Sequence, residues 1–194
     1  IGHNNFYLSG TMMNKGQINY NCGNTPDEFD EKKFLSNYKS YNFYNFQGST
    51  WAPSIVHKDI WNKVGGLSEE YFPGMGSDPD FNMKLWNLGI RIFKGINDFK
   101  VYHFGSIVLR KKINKIIKKN KYGSKSGKIF ILKWGISIKF FKEFYLRSNS
   151  KYEGPLLGPK KNLRYYINLL VCKLHYIYLK LFYRKLIKDK SSIL

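Results

Sequence analysis

Cysteine is nearly absent from this chain. Cys22 and Cys172 are the only two among 194 residues, and they lie far apart, so neither a disulfide framework nor a cysteine-based zinc site is indicated. That scarcity suits a reducing compartment. No Gly-x-Ser-x-Gly elbow and no phosphate-binding loop occurs, and His3, His57 and His175 have no partners at metal-ligand spacing. A clean apolar run long enough to cross a bilayer is also missing. Tyr165 to Tyr183 comes nearest, but Asn168, Lys173, His175 and Lys180 interrupt it and make spanning costly.

Acidic residues are scarce as well, 13 Asp and Glu against 33 Lys and Arg, for a net charge of +20. The deficit is local. Residues 1–110 hold 11 basic and 10 acidic side chains, whereas residues 111–194 hold 22 and 3. A boundary near Arg110 therefore divides a balanced region from a basic one, and a chain of this length buries one good core with an appendage. Gly154-Pro155 and Gly158-Pro159 mark a linker near 150–160 inside the basic region.

What is present is concentrated between Val64 and Ser106. Asp78 precedes Pro79, a good first-turn residue, and Ser77 with Asp80 three residues later spells a capping box, so a helix of roughly 10 residues is expected to start here. Phe81, Leu85 and Leu88, with Met83 and Trp86, give it a buried side, and Gly89 supplies a left-handed stop. The helix dipole is expected to keep the Asp78 carboxyl ionised and its pKa low. Two alternating runs follow, Ile90–Gly95 and Phe99–Phe104, separated by Asn97-Asp98. A helix between strands is an α/β signature. His103 ends the second run before Gly105, where a strand stops and a site opens; by spacing alone it is equally a ligand or a packed imidazole.

The run Gly48 to Glu70, then Gly76-Ser-Asp-Pro-Asp-Phe81, then Val101-Tyr-His-Phe-Gly-Ser106, resembles the second half of a family 2 glycosyltransferase of the GT-A fold. Gly65-Gly66-Leu67-Ser68-Glu69 matches the family's Gly-Gly-Phe-Asp-Glu type segment. Ser77-Asp78-Pro79-Asp80 matches its Glu-Asp-x-Asp type motif, with Ser77 and Ser68 standing where acids are usual. The resemblance implies inverting transfer of a sugar from a nucleotide-sugar donor to a glycan or lipid-linked hydroxyl. Asp78 is then the general base, Trp51, Gly66, Glu69, Asp80 and Arg110 contact substrate, and His103 helps hold Mg²⁺ or Mn²⁺ against the leaving diphosphate. It also implies a cytoplasmic protein at the inner face of the cytoplasmic membrane. The implied domains are 1–110, the acceptor-binding and catalytic-base part of a GT-A domain, and 111–194, a mainly helical accessory region. No hydrophobic strand ending in Asp-x-Asp occurs, and the chain starts at Ile1, so it reads as the C-terminal part of a longer protein.

The other regions support coarser expectations. Asn5–Gly10 reads as a strand, and Thr25 onward as a short capped helix. The aromatics from Tyr38 to Phe46 serve packing or an acceptor platform; Trp51 is assigned to the site and Trp61 to the core. In the last segment Lys173, Lys180, Arg184 and Lys188 share one helical face, with Leu170, Leu174, Ile177 and Leu181 elsewhere, a pattern suited to an anionic membrane surface. The rival reading is a non-catalytic basic module that binds membrane or nucleic acid, in which Asp78 only caps a helix.

Overall fold

The computed structural model describes residues 4–48, 50–51, 53–72, 74–105 and 122–182. Its centre is strand β1, Phe6–Met13, buried along almost its whole length as expected of an inner strand. Four strands form one open mixed sheet in the order β2-β4-β1-β3, with β2 at Phe46–Gln47, β3 at Ser54–Val56 and β4 at Ile92–Tyr102. β4 runs parallel to β1, while β3 and β2 are antiparallel to their neighbours. The class is α/β, as the helix-between-strands pattern implied.

The two alternating runs after Gly89 are one strand, not two. Between Gly10 and Thr11 the register jumps, with Gly10 opposite Ile96 and Thr11 opposite Lys100. The Asn97-Asp98 signal therefore marks a bulge inside β4 rather than a turn between strands. Thr11 closes it by donating its hydroxyl to the Ile96 carbonyl at 2.7 Å, and Asn97 accepts from the Phe43 N–H at 2.8 Å. A side chain at position 10 would meet Val101 Cγ2 at 2.8 Å and the Phe99 carbonyl at 2.9 Å, so glycine is required there.

Helices pack around this sheet. The short helices α1, Glu31–Asn37, and α2, Lys58–Val64, are capped by Asp30 and His57 respectively. Helix α3, Ser77–Asn87, is buried on most sides, and Gly89 ends it at φ 95°. The aromatic stretch expected around Ile129 to Leu146 breaks at Gly135 (φ 73°). It forms α4, Tyr122–Trp134, and α5, Ile138–Phe140, which continues as a π-helical turn through Tyr145. The last described helix, α6, spans Leu163–Phe182.

One hydrophobic cluster joins Tyr7 and Phe93 of the sheet to Phe81, Leu85 and Trp86 of α3. It continues through Phe130, Phe141, Phe144 and Tyr165 to Cys172. Both sides of the charge boundary near Arg110 thus contribute to a single core. The Gly-Pro linker is itself attached: Leu156 is buried and its N–H donates to the Arg91 carbonyl at 2.8 Å. Both cysteines are free and buried.

At the β2–β4 edge the fully buried Phe46 ring lies directly on Gly95. Gly95→Ala is expected to destabilise the fold by about 1–3 kcal/mol, because the added methyl displaces that ring. Urea denaturation of the variant checks it, with no loss and a gain of up to about 1 kcal/mol expected for Gly127→Ala, where nothing crowds the added atom and alanine is the better helix former within α4.

Candidate functional site

The Gly65-Gly66 pair is a helix stop. Gly65 ends α2 in the left-handed region at φ 70°, and the Gly65 and Gly66 N–H groups donate to Asn62 and Trp61 carbonyls, both at 3.1 Å. Gly66 is also at positive φ, and a Cβ there would meet the Trp61 ring at 2.8 Å. Trp61 lies on this glycine and on Phe81, with ring centroids 5.1 Å apart, and remains 41% exposed, so it roofs the core rather than filling it. The Gly66 carbonyl accepts from Lys84 Nζ at 2.8 Å, which ties the turn to α3.

The chain then makes a 3₁₀ turn over Glu69–Tyr71 and enters α3 through Gly76 at φ 93°. Here the capping box fails. Gly76 is the N-cap, Ser77 is already helical, and its hydroxyl donates to the Gly74 carbonyl at 2.7 Å. Gly76 faces Tyr71 and Ser126 of α4 at 3.0 and 3.2 Å from its hypothetical Cβ, so the entry to α3 is pressed against α4.

Asp80, the fourth residue of α3, is completely buried. Its Oδ2 accepts from the Ser68 hydroxyl at 2.6 Å and from Lys133 Nζ at 3.0 Å. Its Oδ1 lies 2.8 Å from Lys133 Nζ and accepts from the Trp134 indole N–H at 2.7 Å. Lys133 also pairs with Glu70 at 3.0 Å and reaches the Ser68 hydroxyl at 3.1 Å. Lys84, one turn along α3, stands 4.0 Å from the same carboxylate, and burial lowers its pKa. The Tyr71 phenol is held well above its ordinary range, first by burial and then by the Asp80 charge. A carboxylate taken out of water needs this many donors. Asp80, expected to contact substrate, instead faces protein on every side and fastens α3 to α4.

Asp78 behaves differently. It is partly buried in the first turn of α3, and burial pushes its carboxyl up to about 6, against a smaller opposing contribution from its own backbone N–H. The expected low pKa is therefore reversed. A helix N-terminus contributes about 0.3–1 kcal/mol to a nearby anion, which desolvation of a half-enclosed carboxylate exceeds. Among the described residues no cation pairs with it.

The other sequence-derived residues separate into three places. Gly66, Glu69, Asp78 and Asp80 lie together on the segments around α3, with Glu69 exposed in the 3₁₀ turn. Trp51 packs elsewhere: it stacks on Phe46 at 5.7 Å, donates to the Gly10 carbonyl at 3.4 Å, and connects to the core through the Tyr7 hydroxyl at 3.3 Å. His103 follows β4, beside the end of β1 at Met13. Its N–H donates to the Met13 carbonyl at 2.9 Å, between Tyr102 and Phe104, which both pack on Phe29. Arg110 lies outside the described residues. Lys133 and Trp134 are the residues that sequence reasoning missed; only the Asp80–Lys84 spacing of four was a readable signal.

No three of His, Cys, Asp and Glu converge among the described residues. With Asp80 saturated by donors, the expected Mg²⁺ or Mn²⁺ finds no ligand set in the described part of this chain. A shallow cleft of about 420 Å³, lined by Ile138, Lys139, Lys142, Glu143, Ser148 and Asn149, contains none of the motif residues.

Removing the clamp should be severe. Asp80→Asn is expected to cost about 3–5 kcal/mol, because it breaks a buried ion pair and leaves Lys133 with Glu70 alone among the described residues as its counter-charge. Adding Lys133→Met should recover part of that loss, a coupling that a double-mutant cycle by chemical denaturation measures. Asp78 carries the opposite sign. Between its unfolded pKa of 3.8 and its folded value of about 6 the folded state holds more protons, so rising pH erodes stability across that window. Asp78→Asn is therefore expected to be more stable than the parent at pH 8, by about 1–3 kcal/mol, with the gain vanishing below about pH 4. Thermal melts at both pH values read the difference.

Comparison with protein-family models, with curated proteins and with solved structures gives no match to this chain.

Proposed function

We propose that residues 1–110 form the acceptor-binding and catalytic-base part of an inverting glycosyltransferase with a GT-A type fold, followed by a basic, mainly helical accessory region over 111–194, and that Asp78 is its general base. The observation that carries this reading is the contrast between two carboxylates on one helical turn. Asp80 is saturated by Ser68, Lys133 and Trp134, while Asp78 has its pKa raised to about 6 and no cationic partner among the described residues. Environments that separate paired carboxylates in this way divide structural from proton-transfer roles. A base with a pKa near 6 is mostly ionised at neutral pH yet still holds a proton well, which is the compromise that general-base catalysis needs.

In the proposed reaction an acceptor hydroxyl lies within hydrogen-bond reach of Asp78. As its oxygen bonds to the anomeric carbon from the face opposite the leaving group, the proton passes to the Asp78 carboxylate. The bond between that carbon and the diphosphate oxygen breaks, and the nucleoside diphosphate leaves with the electron pair, which inverts the centre. Glu69, exposed beside the same turn, and the Gly66 segment border the approach. A divalent ion held with the nucleotide-sugar donor would neutralise the charge on the leaving diphosphate, and His103 is the candidate ligand that the sequence offers for it.

The rival reading, that Asp78 merely caps α3, has less support. The cap position is Gly76, and no side chain caps the helix there. In the full-length enzyme, Asp78→Asn is expected to lower sugar transfer by about 10²–10⁴-fold while circular dichroism is unchanged. The parent's kcat/KM should fall with decreasing pH below about 6. Transfer by the asparagine variant at the parental rate would overturn the assignment.

A further inference from the structure

Helix α6 has two apolar faces, and only one of them is used by the fold. Tyr165, Cys172 and Leu179, at intervals of seven, are buried against the body of the protein. On the opposite side Leu163, Ile167, Leu170, Leu174, Ile177 and Leu181 are 53% to 77% exposed. At 100° per residue these six fall within an arc of about 80°, centred on the side facing away from the buried stripe. The ridge runs the length of a 20-residue helix, about 30 Å. Six aligned aliphatic side chains in water are more than the scatter of single apolar residues that ordinary surfaces carry.

The residues beside the ridge are ordered by polarity. Tyr166 lies on one shoulder, with Tyr178 and then Phe182 on the other, and all three are about half or more exposed. Beyond Tyr166, at the border with the buried stripe, stand Lys173 and Lys180; beyond Tyr178 stand Arg164 and His175, also exposed. The helix contains no Asp or Glu. From the ridge outward the sequence is aliphatic, aromatic, cationic, which matches the layers of a bilayer interface from acyl chain to anionic headgroup.

We infer that this outer face of α6 docks the protein on an anionic lipid surface, with the Leu170-Leu174-Ile177 ridge entering the acyl boundary and Lys173 and Lys180 meeting headgroup phosphates. No described helix is long and apolar enough to cross the bilayer, so the helix lies in the interface plane. Charge selects this occupant over a second copy of the chain. Two such faces pressed together would bring basic rims against basic rims with no carboxylate on either helix, whereas an anionic surface complements both rims. The inference stands apart from the transferase reading, because a protein that binds vesicles without transferring sugar would retain it.

The test is co-sedimentation of the full chain with vesicles of phosphatidylcholine alone and of phosphatidylcholine with phosphatidylglycerol. The parent is expected to bind the anionic vesicles, and more weakly the neutral ones. Leu174→Gln/Ile177→Gln, at exposed positions, should keep the parental circular dichroism and thermal midpoint yet lose about tenfold or more in partition to both vesicle types. Lys173→Gln/Lys180→Gln should lose roughly tenfold to thirtyfold on anionic vesicles only. Failure of the parent to bind anionic vesicles would overturn the inference. So would ridge variants that bind as the parent does, which would assign binding to basic residues elsewhere. A parent that sediments as a dimer, becomes monomeric on ridge substitution and ignores lipid would give the face to a second copy instead.

Discussion

The Asp80 carboxylate is the constraint around which this structure is arranged. It sits wholly inside the protein, in the first turn of α3, where an unpaired charge would be untenable. The groups that relieve it come from three segments: Ser68 from the turn after α2, Lys84 from α3 itself, Lys133 and Trp134 from the end of α4. Satisfying one carboxylate therefore sets the relative positions of two helices and a turn. The Gly65-Gly66 stop and the Gly76 entry are consequences, since both allow the backbone to come close enough for these bonds to form.

The same arrangement leaves Asp78 in a different situation. With the clamp one helical step away and α4 pressed on Gly76, Asp78 loses water without gaining a cation from the described residues. Its raised pKa is thus a by-product of how tightly the neighbouring carboxylate is held. The clamp and Asp78 share a turn, so the rigidity of one fixes the backbone position of the other.

Much of the local structure was legible in the sequence, because local structure follows from local chemistry. β1, α3 and its Gly89 stop and the break at the Gly-Pro linker follow from periodicity and glycine or proline placement, whereas the capped helix expected from Thr25 begins only at Glu31, with Asp30 as its cap. The failures are those of long-range context. Asn97-Asp98 reads as a turn until Thr11 and Phe43 arrive to make it a bulge. Asp80 reads as a site residue because its partners at 133 and 134 have no spacing relation to it. Asp78 was assigned a low pKa from the helix dipole, a local effect, when burial by other elements dominates. The two apolar faces of α6 were not separable for the same reason: the sequence shows a basic face with apolar residues elsewhere but not which apolar stripe the core consumes.

The sequence separation of the clamp also bears on the order in which the molecule assembles. Lys133 and Trp134 lie 53 and 54 residues downstream of Asp80. At ordinary synthesis rates of about 5–20 residues per second, the carboxylate of a nascent chain waits roughly 3–10 s for its partners. Until then only Ser68 and Lys84 can relieve the Asp80 carboxylate, and the pair of bonds that buries it fully waits for the end of α4. The lysine-rich second part of the chain, whatever else it binds, completes the protein that precedes it.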